Sequence, residues 1–291
     1  MPKSFTAKLG VAFLAGLAIA VVLAPLVAVA LARIGFHFPF PRIFDRVVMI
    51  GLVLVLILRA QELNLVSLLR SGFARPVANL AFTARGFLVA VGVMVVLFVV
   101  GCVMEGFPPA THAARLLPKY VLSAAVIAVI EEAFFRAFLF GGMQGDFGST
   151  GALIVSSTIY ALAHLVRAPA RFYTTTLDLS AGVRTLGLSF SQLSAPASAL
   201  PTLIGLFLLG VVLAEAFILT GTVWFSVGLH AGFVIGAKLW PKMMVTRRGL
   251  PGWLAGWGGQ PLISGAAAWV AALAVLLLLR ALAGTRRERA A

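Results

Sequence analysis

Apolar residues along the chain come in long runs separated by short polar or proline-containing stretches. Eight runs stand out, at 10–32, 44–60, 86–104, 119–142, 149–166, 199–219, 221–239 and 261–282. Crossing the hydrocarbon core of a bilayer takes roughly 18–20 apolar residues in a helix, and most of these runs are of that order. The second is the weakest, because only the 12 residues from Val47 to Leu58 are free of charge. That run is expected to tilt, to be buried or not to span fully. Between it and the third run lies QELNLVSLLRSGFARPVANLAFTARG, basic and part apolar, which predicts a segment lying on the membrane surface. Pro39 with Pro41, Pro108 with Pro109, and the stretch from Pro169 to Pro201 mark connections. Neither an internal repeat nor a polar linker divides the chain. The pattern therefore predicts one all-α membrane domain, a single bundle of about eight transmembrane helices.

Composition strengthens this reading. Of the 291 residues, 61% are hydrophobic and 11% charged, and the mean hydropathy is +1.06. Ordinary soluble domains are about 45–50% apolar and 25% charged. The formal charge of +14 would suggest nucleic acid in a soluble protein. Here Lys and Arg sit mainly between the apolar runs, where membrane lipids are the expected partners, and no nucleic-acid-binding motif accompanies them. Arg167, Arg171 and Arg184 in the 167–198 loop, and Lys238, Lys242, Arg247 and Arg248 in the 238–260 loop, point to the cytoplasmic side. Strict alternation over eight spans would then put the basic tail TRRER on the opposite side, so charge and parity disagree. The single cysteine, Cys102, leaves no intrachain disulfide and is expected to pack as a small hydrophobe. Two lysines precede an N-terminal apolar run longer than the core of a cleaved signal peptide, which predicts a retained first helix in a multi-pass protein of the cell membrane.

Ionisable side chains inside such runs are the candidates for chemistry, because charge in a bilayer interior is costly. Residues 130–136 read IEEAFFR. Glu132 and Arg136 are four apart and can pair on one helical face. Glu131 lies about 100° round the helix, without a local partner at helical spacing, and a carboxylate so placed suits a general base. Two histidines follow in other runs. His164 has Tyr160 four residues before it, and His230 lies in TVWFSVGLHAGF. Carboxylate plus imidazole can activate water and protonate a leaving group, and Glu131, His164 and His230 would also make a zinc set. Two lesser alternatives are a buried ion-pair network that only fixes helix packing, and proton relays in a transporter in which Glu215 joins the two glutamates. The absence of an inverted repeat counts against a transporter. Glu215 itself is expected to pair across helices or to line a cavity. His37 and His112, near prolines, carry no expected role, and Asp146 and Asp178 read as solvated. HExxH, GxSxG, GxGxxG and P-loop motifs are absent, leaving glutamate and histidine.

The order of these motifs resembles a known family. ExxxR following a first glutamate at Glu131–Arg136, an aromatic four residues before His164, and GLHAG around His230, preceded by Gly221, Trp224, Gly228 and Leu229, are similar to the CAAX-protease and bacteriocin-processing (CPBP, or ABI) proteins. The likeness covers roughly 117–240, so residues 1–116 would be variable N-terminal helices and 241–291 the last helix and basic tail. The resemblance implies an eight-helix intramembrane endopeptidase acting on a peptide or membrane-protein substrate. It implies that Glu131 and His164 activate a water, that His230 holds the oxyanion, that Glu132, Arg136 and Tyr160 support them, and that no metal or other cofactor takes part. Two departures matter. Tyr160 stands where Phe is common, and Val234 stands where many members have Asn as a second oxyanion donor. Loss of such a donor costs about 10²–10³ in rate, and Val234 therefore leaves open a non-enzymatic scaffold or bacteriocin-immunity protein that binds a peptide in the same cavity.

Overall fold

The computed structural model describes residues 4–74, 79–105, 115–168, 172–174, 176–244, 249–257 and 261–288. Pro108, Pro109, His112, Pro169, Arg171, Arg247 and Arg248 lie outside the described residues, as do the side chains of the tail. Among the described residues every regular element is helical. The chain forms two compact units, Met1–Ser67 with Ala163–Pro196, and Leu68–Leu162 with Ala197–Ala291.

In the first unit, α1 (Phe5–Arg33) and α2 (Phe40–Leu58) pack together, and the short α7 (Ser180–Ser189) rests on both. Ala24, Ala28, Phe40, Ile43, Phe44 and Ala181 form the shared core. The Phe40 N–H donates to the Phe172 carbonyl at 2.7 Å, tying the 167–198 segment to α2, and the Arg167 N–H donates to the Ser189 carbonyl at 2.9 Å, closing that segment on itself. No apolar periodicity announces α7. Its register is set instead by Asp178, which accepts from the Ser180 N–H at 2.9 Å and the Ser180 hydroxyl at 2.6 Å. The Ser180 hydroxyl bond also holds the Asp178 carboxyl below the usual carboxylate range. The weakly apolar second run is the continuous helix α2, and the predicted surface segment contains the short, amphipathic α3 (Leu65–Gly72).

The second unit holds α4 (Asn79–Glu105), α5 (Leu117–Glu132), a π-helical segment (Ala133–Phe140), most of α6 (Gly141–Leu165), α8 (Pro196–Thr220), α9 (Val223–Met243), the single turn α10 (Gly252–Ala255) and α11 (Ala266–Glu288). The expected span at 119–142 is thus α5 continuing into the π segment. The break between the fourth and fifth runs comes at Gly148 inside α6, where φ is +67°, a value that glycine adopts without strain. The 238–260 stretch was expected as a loop; α9 instead runs through its first six residues, so Lys238 is helical and half-buried.

Helices α4 and α9 form the tightest pair. Gly228, Gly232 and Gly236 repeat every fourth residue along one face of α9, and Gly86 answers from α4. Such small-xxx-small stripes let backbones approach closely where apolar solvent gives no hydrophobic drive. A Cβ on Gly228 would overlap the Thr83 carbonyl oxygen and stand 2.8 Å from the Phe87 nitrogen, both backbone atoms that cannot step aside. Gly228→Ala is therefore expected to destabilise the protein by about 3 kcal/mol or more, read as a lowered melting temperature in detergent. Gly92→Ala, where a Cβ meets nothing within 4 Å, should change it little.

Among the described residues four helices, α1, α4, α8 and α9, are long and apolar enough to cross a membrane. Of the most apolar windows of α1 and α4, only 28% and 22% respectively are buried, so large aliphatic side chains such as Leu14, Leu88 and Val96 point outward. This surface suits lipid and not water. The remaining expected spans fall short by these measures for visible reasons. The charged residues Arg42, Asp45 and Arg46 open α2, α5 ends at Glu132, and the apolar part of α11 is the short stretch Ala266–Leu282.

Candidate active site

The π-helical segment begins immediately after Glu132, and Phe135 to Phe140 are buried without interruption. An element buried on all sides lies inside the bundle, and π-helical turns are frequent at functional sites. Ala124 and Ala128 of α5 and Ala137 of the π segment pack against Val223, Val227, Ala231 and Ile235 of α9. Small residues on α5 bring it close to α9, and the charged groups meet at the end of that contact.

Glu132 is fully buried, and Arg136 and His230 are each 2% exposed. One carboxylate oxygen of Glu132, Oε1, accepts from Arg136 Nη1 at 3.0 Å and bonds His230 Nδ1 at 2.8 Å. An ion-paired carboxylate is an acceptor, so the Nδ1 position carries the proton in that bond. Arg136 Nη2 donates to the Gly210 carbonyl of α8 at 3.3 Å. Its guanidinium lies 4.8 Å from the centroid of the Tyr160 ring, within cation–π range. Tyr160 in turn stands edge-on to His230, with centroids 6.2 Å apart, and to Phe135 at 5.0 Å. One aromatic ring thus walls in both the cation and the imidazole.

Glu131 differs from these groups. Its side chain is 26% exposed, and its Oε2 lies 3.7 Å from His230 Nε2, beyond a direct hydrogen bond. The imidazole is therefore held by Glu132 on one nitrogen and faces Glu131 with the other. Glu132 Oε2 is buried and has no hydrogen-bond partner among the described residues. Buried polar atoms are nearly always paired, so this oxygen is unused acceptor capacity inside the cluster.

Of the residues singled out in the sequence, Glu131, Glu132, Arg136, Tyr160 and His230 come together in the second unit. His164 belongs to the first unit, half-buried in the last turn of α6, one turn beyond Tyr160. Val234 packs against the apolar cluster between α5 and α9. Glu215 pairs across helices, accepting from Arg280 Nε of α11 at 2.9 Å. The spacing of Glu132 and Arg136 was legible; the bond from Glu132 to His230, 98 residues away, and the Gly210 carbonyl had no local signal. Among the described residues, no three His, Cys, Asp or Glu side chains are grouped as metal ligands.

In comparisons with known proteins, residues 113–236 match the family model described as type II CAAX prenyl endopeptidase Rce1-like. No curated protein and no solved structure matches the chain. The matched segment contains all three motifs, Glu131–Arg136, Tyr160–His164 and the GLHAG around His230, and with them every member of the buried cluster. Over residues 113–236 the chain is therefore similar to the Rce1-like type II CAAX prenyl endopeptidases, a match with the CAAX-protease and bacteriocin-processing family.

Proposed function

We propose that this protein is a multi-pass endopeptidase of the cell membrane, built from eight spans, in which Glu131 activates a water to cleave a peptide near its C-terminal end. The observation that carries this reading is the clamped imidazole: His230 is bonded through Nδ1 to a buried carboxylate and turned through Nε2 toward a second, partly exposed one.

Glu131 takes a proton from water as the hydroxide oxygen adds to the scissile carbonyl carbon. Negative charge develops on the carbonyl oxygen, and His230 donates Nε2–H to it. With both ring nitrogens protonated, Glu131, Glu132, Arg136 and His230 sum to zero formal charge, the arrangement that a low-dielectric site favours. The C–N bond then breaks, and the proton held by Glu131 passes to the departing amine. His164 shares water activation with Glu131, in the role that the family resemblance gives it. Glu132, Arg136 and Tyr160 do not touch the substrate; they fix the ring plane and the protonated nitrogen of His230, as carboxylates do for histidines in many hydrolytic sites.

The test is a comparison of peptide termini, by mass spectrometry, between membranes that carry the protein and membranes that lack it. Endoproteolysis predicts new termini that appear only with the protein; identical profiles would remove the enzymatic reading. The mechanism uses protein side chains alone, so chelation of the purified protein is expected to leave its cleavage rate unchanged. A rate that collapses with chelator and returns with zinc would replace it by a metal-dependent one.

Val234 favours a second reading, a non-enzymatic scaffold or immunity protein that binds a peptide in the same place. Its side chain offers no hydrogen bond one helical turn past His230. Peptide binding that persists without any new termini would support this alternative.

A further inference from the structure

Ser157 of α6 is 1% exposed and stands between two other hydroxyl residues that behave differently. Serine and threonine inside a helix commonly donate to a carbonyl one turn back. Ser156 does so to Leu153 at 3.4 Å, and Thr158 to Ile154 at 2.9 Å. Ser157 Oγ is buried and has no hydrogen-bond partner among the described residues. A hydroxyl in that state is costly unless another polar group meets it.

The contacts of Ser157 lead to Arg136. Tyr160, three residues on and on the same face of α6, carries the ring that lies 4.8 Å from the guanidinium. Gly210 of α8 accepts Arg136 Nη2 on its carbonyl at 3.3 Å, and a Cβ built on that glycine would stand 3.2 Å from Ser157 Oγ. The hydroxyl and the guanidinium thus meet at one glycine. Glu132 holds the same cation through Oε1 at 3.0 Å, while its Oε2 is buried and unpartnered among the described residues. Of the five N–H donors of an arginine, one goes to Glu132 and one to Gly210. A carboxylate oxygen, a hydroxyl and further N–H donors therefore gather round one buried cation. Internal waters typically make about three hydrogen bonds to otherwise unsatisfied groups of this kind. Glu132, Ser157 and Arg136 are at most 2% exposed, which suits a molecule no larger than water.

We propose that one buried water is held by Glu132 Oε2, Ser157 Oγ and an Arg136 N–H, and that Ser157 acts through it as a positioning residue for His230. The water accepts from Arg136, donates to Oε2 and shares a hydrogen bond with the hydroxyl. Its effect falls on Glu132. The last torsion of a glutamate is broad and roughly two-fold, so an unanchored oxygen leaves the carboxylate free to turn. With Oε2 anchored, Oε1 stays where Arg136 Nη1 and His230 Nδ1 both reach it. This water belongs to the Glu132 side of the imidazole, and the one that Glu131 activates belongs to the Nε2 side. The positioning role rests on the endopeptidase reading; the water site does not.

The test is an experimental structure of the full-length protein at a resolution that shows ordered waters, repeated for Ser157→Ala and Ser156→Ala, with cleavage kinetics for all three. The wild type is expected to hold a water about 2.5–3.2 Å from both Glu132 Oε2 and Ser157 Oγ. Ser157→Ala keeps the Cβ that packs on Gly210, so it should melt close to the wild-type temperature. It should lose the water, and kcat should fall about tenfold at unchanged KM, the effect of one hydrogen bond to a charged group. Ser156→Ala removes a hydroxyl already bonded to Leu153 and should keep both the water and kcat. A Ser157 hydroxyl turned back onto a helix carbonyl, with no water at Oε2, overturns the proposal. A water that Ser157→Ala leaves in place does so too, as does a kcat that survives the loss of the water. If the water is present and is lost with the hydroxyl, but the wild-type protein releases no new termini, the water site stands and the endopeptidase reading falls.

Discussion

Glu131→Gln is expected to lower the rate of peptide cleavage by about 10²–10⁴-fold, the contribution of a positioned general base. The substitution keeps the shape of the side chain and its capacity to accept a hydrogen bond, and removes its ability to take the proton. Glu131 is the cluster member most open to solvent, with its side chain 26% exposed, so the variant should fold and melt close to the wild-type temperature. The pair of readouts separates chemistry from stability. New termini lost at unchanged melting temperature identify Glu131 as the base. Termini that persist at the wild-type rate would show that the proton goes elsewhere, and the proposed mechanism would fail with them.

Arg136→Met should act in the opposite way, on the fold first. The guanidinium is 2% exposed and is the only arginine bonded to Glu132 among the described residues. Removing one partner of a buried pair leaves the other charge uncompensated, at a cost of about 3–5 kcal/mol. Here the stranded carboxylate keeps its bond to His230, and the Gly210 carbonyl and the Tyr160 ring lose their contacts with the cation. A large fall in melting temperature is expected. The double variant Glu132→Leu/Arg136→Met takes away both charges and should recover much of that loss, because buried pairs replaced by apolar groups are often no less stable. It should not recover activity, since His230 then has no carboxylate to hold Nδ1. A cycle over the two single variants and the double one measures this coupling directly. Additive losses would mean that the pair is not a unit.

What could be read along the sequence was whatever depended on spacing within one segment. The apolar runs fell on helices, Glu132 and Arg136 paired at four residues apart, and the charges in IEEAFFR were correctly set apart from the lipid-like residues around them. Four features were not legible, each for a physical reason. The shared acceptance of Glu132 Oε1 depends on two helices meeting, and nothing near either residue encodes it. The π-helical turn comes from the same kinds of residue that make an α-helix, so its wider hydrogen-bond register has no compositional mark. The glycines of GLHAG read as part of a catalytic signature, yet Gly228 and Gly232 face α4 and serve close packing, while only the histidine between them enters the site. Lys238, expected in a loop because positive charge usually ends a span, lies within α9 because Ser123 gives its ammonium a partner there.

The bond between Glu132 and His230 also has a consequence for biogenesis. The two residues are 98 positions apart, and a ribosome adding about 5–20 residues per second needs roughly 5–20 s to make the second after the first. On the eight-span reading proposed above, α5 would enter the membrane in that interval without the imidazole that later holds its carboxylate. Each lone charge at the centre of an inserting helix costs about 2.5–3.5 kcal/mol. Arg136 follows Glu132 by four residues and emerges almost with it, so the nascent helix carries its own counter-ion through the translocon. On that reading the ion pair would act as a chaperone in cis, making the segment insertable before the rest of the site has been synthesised.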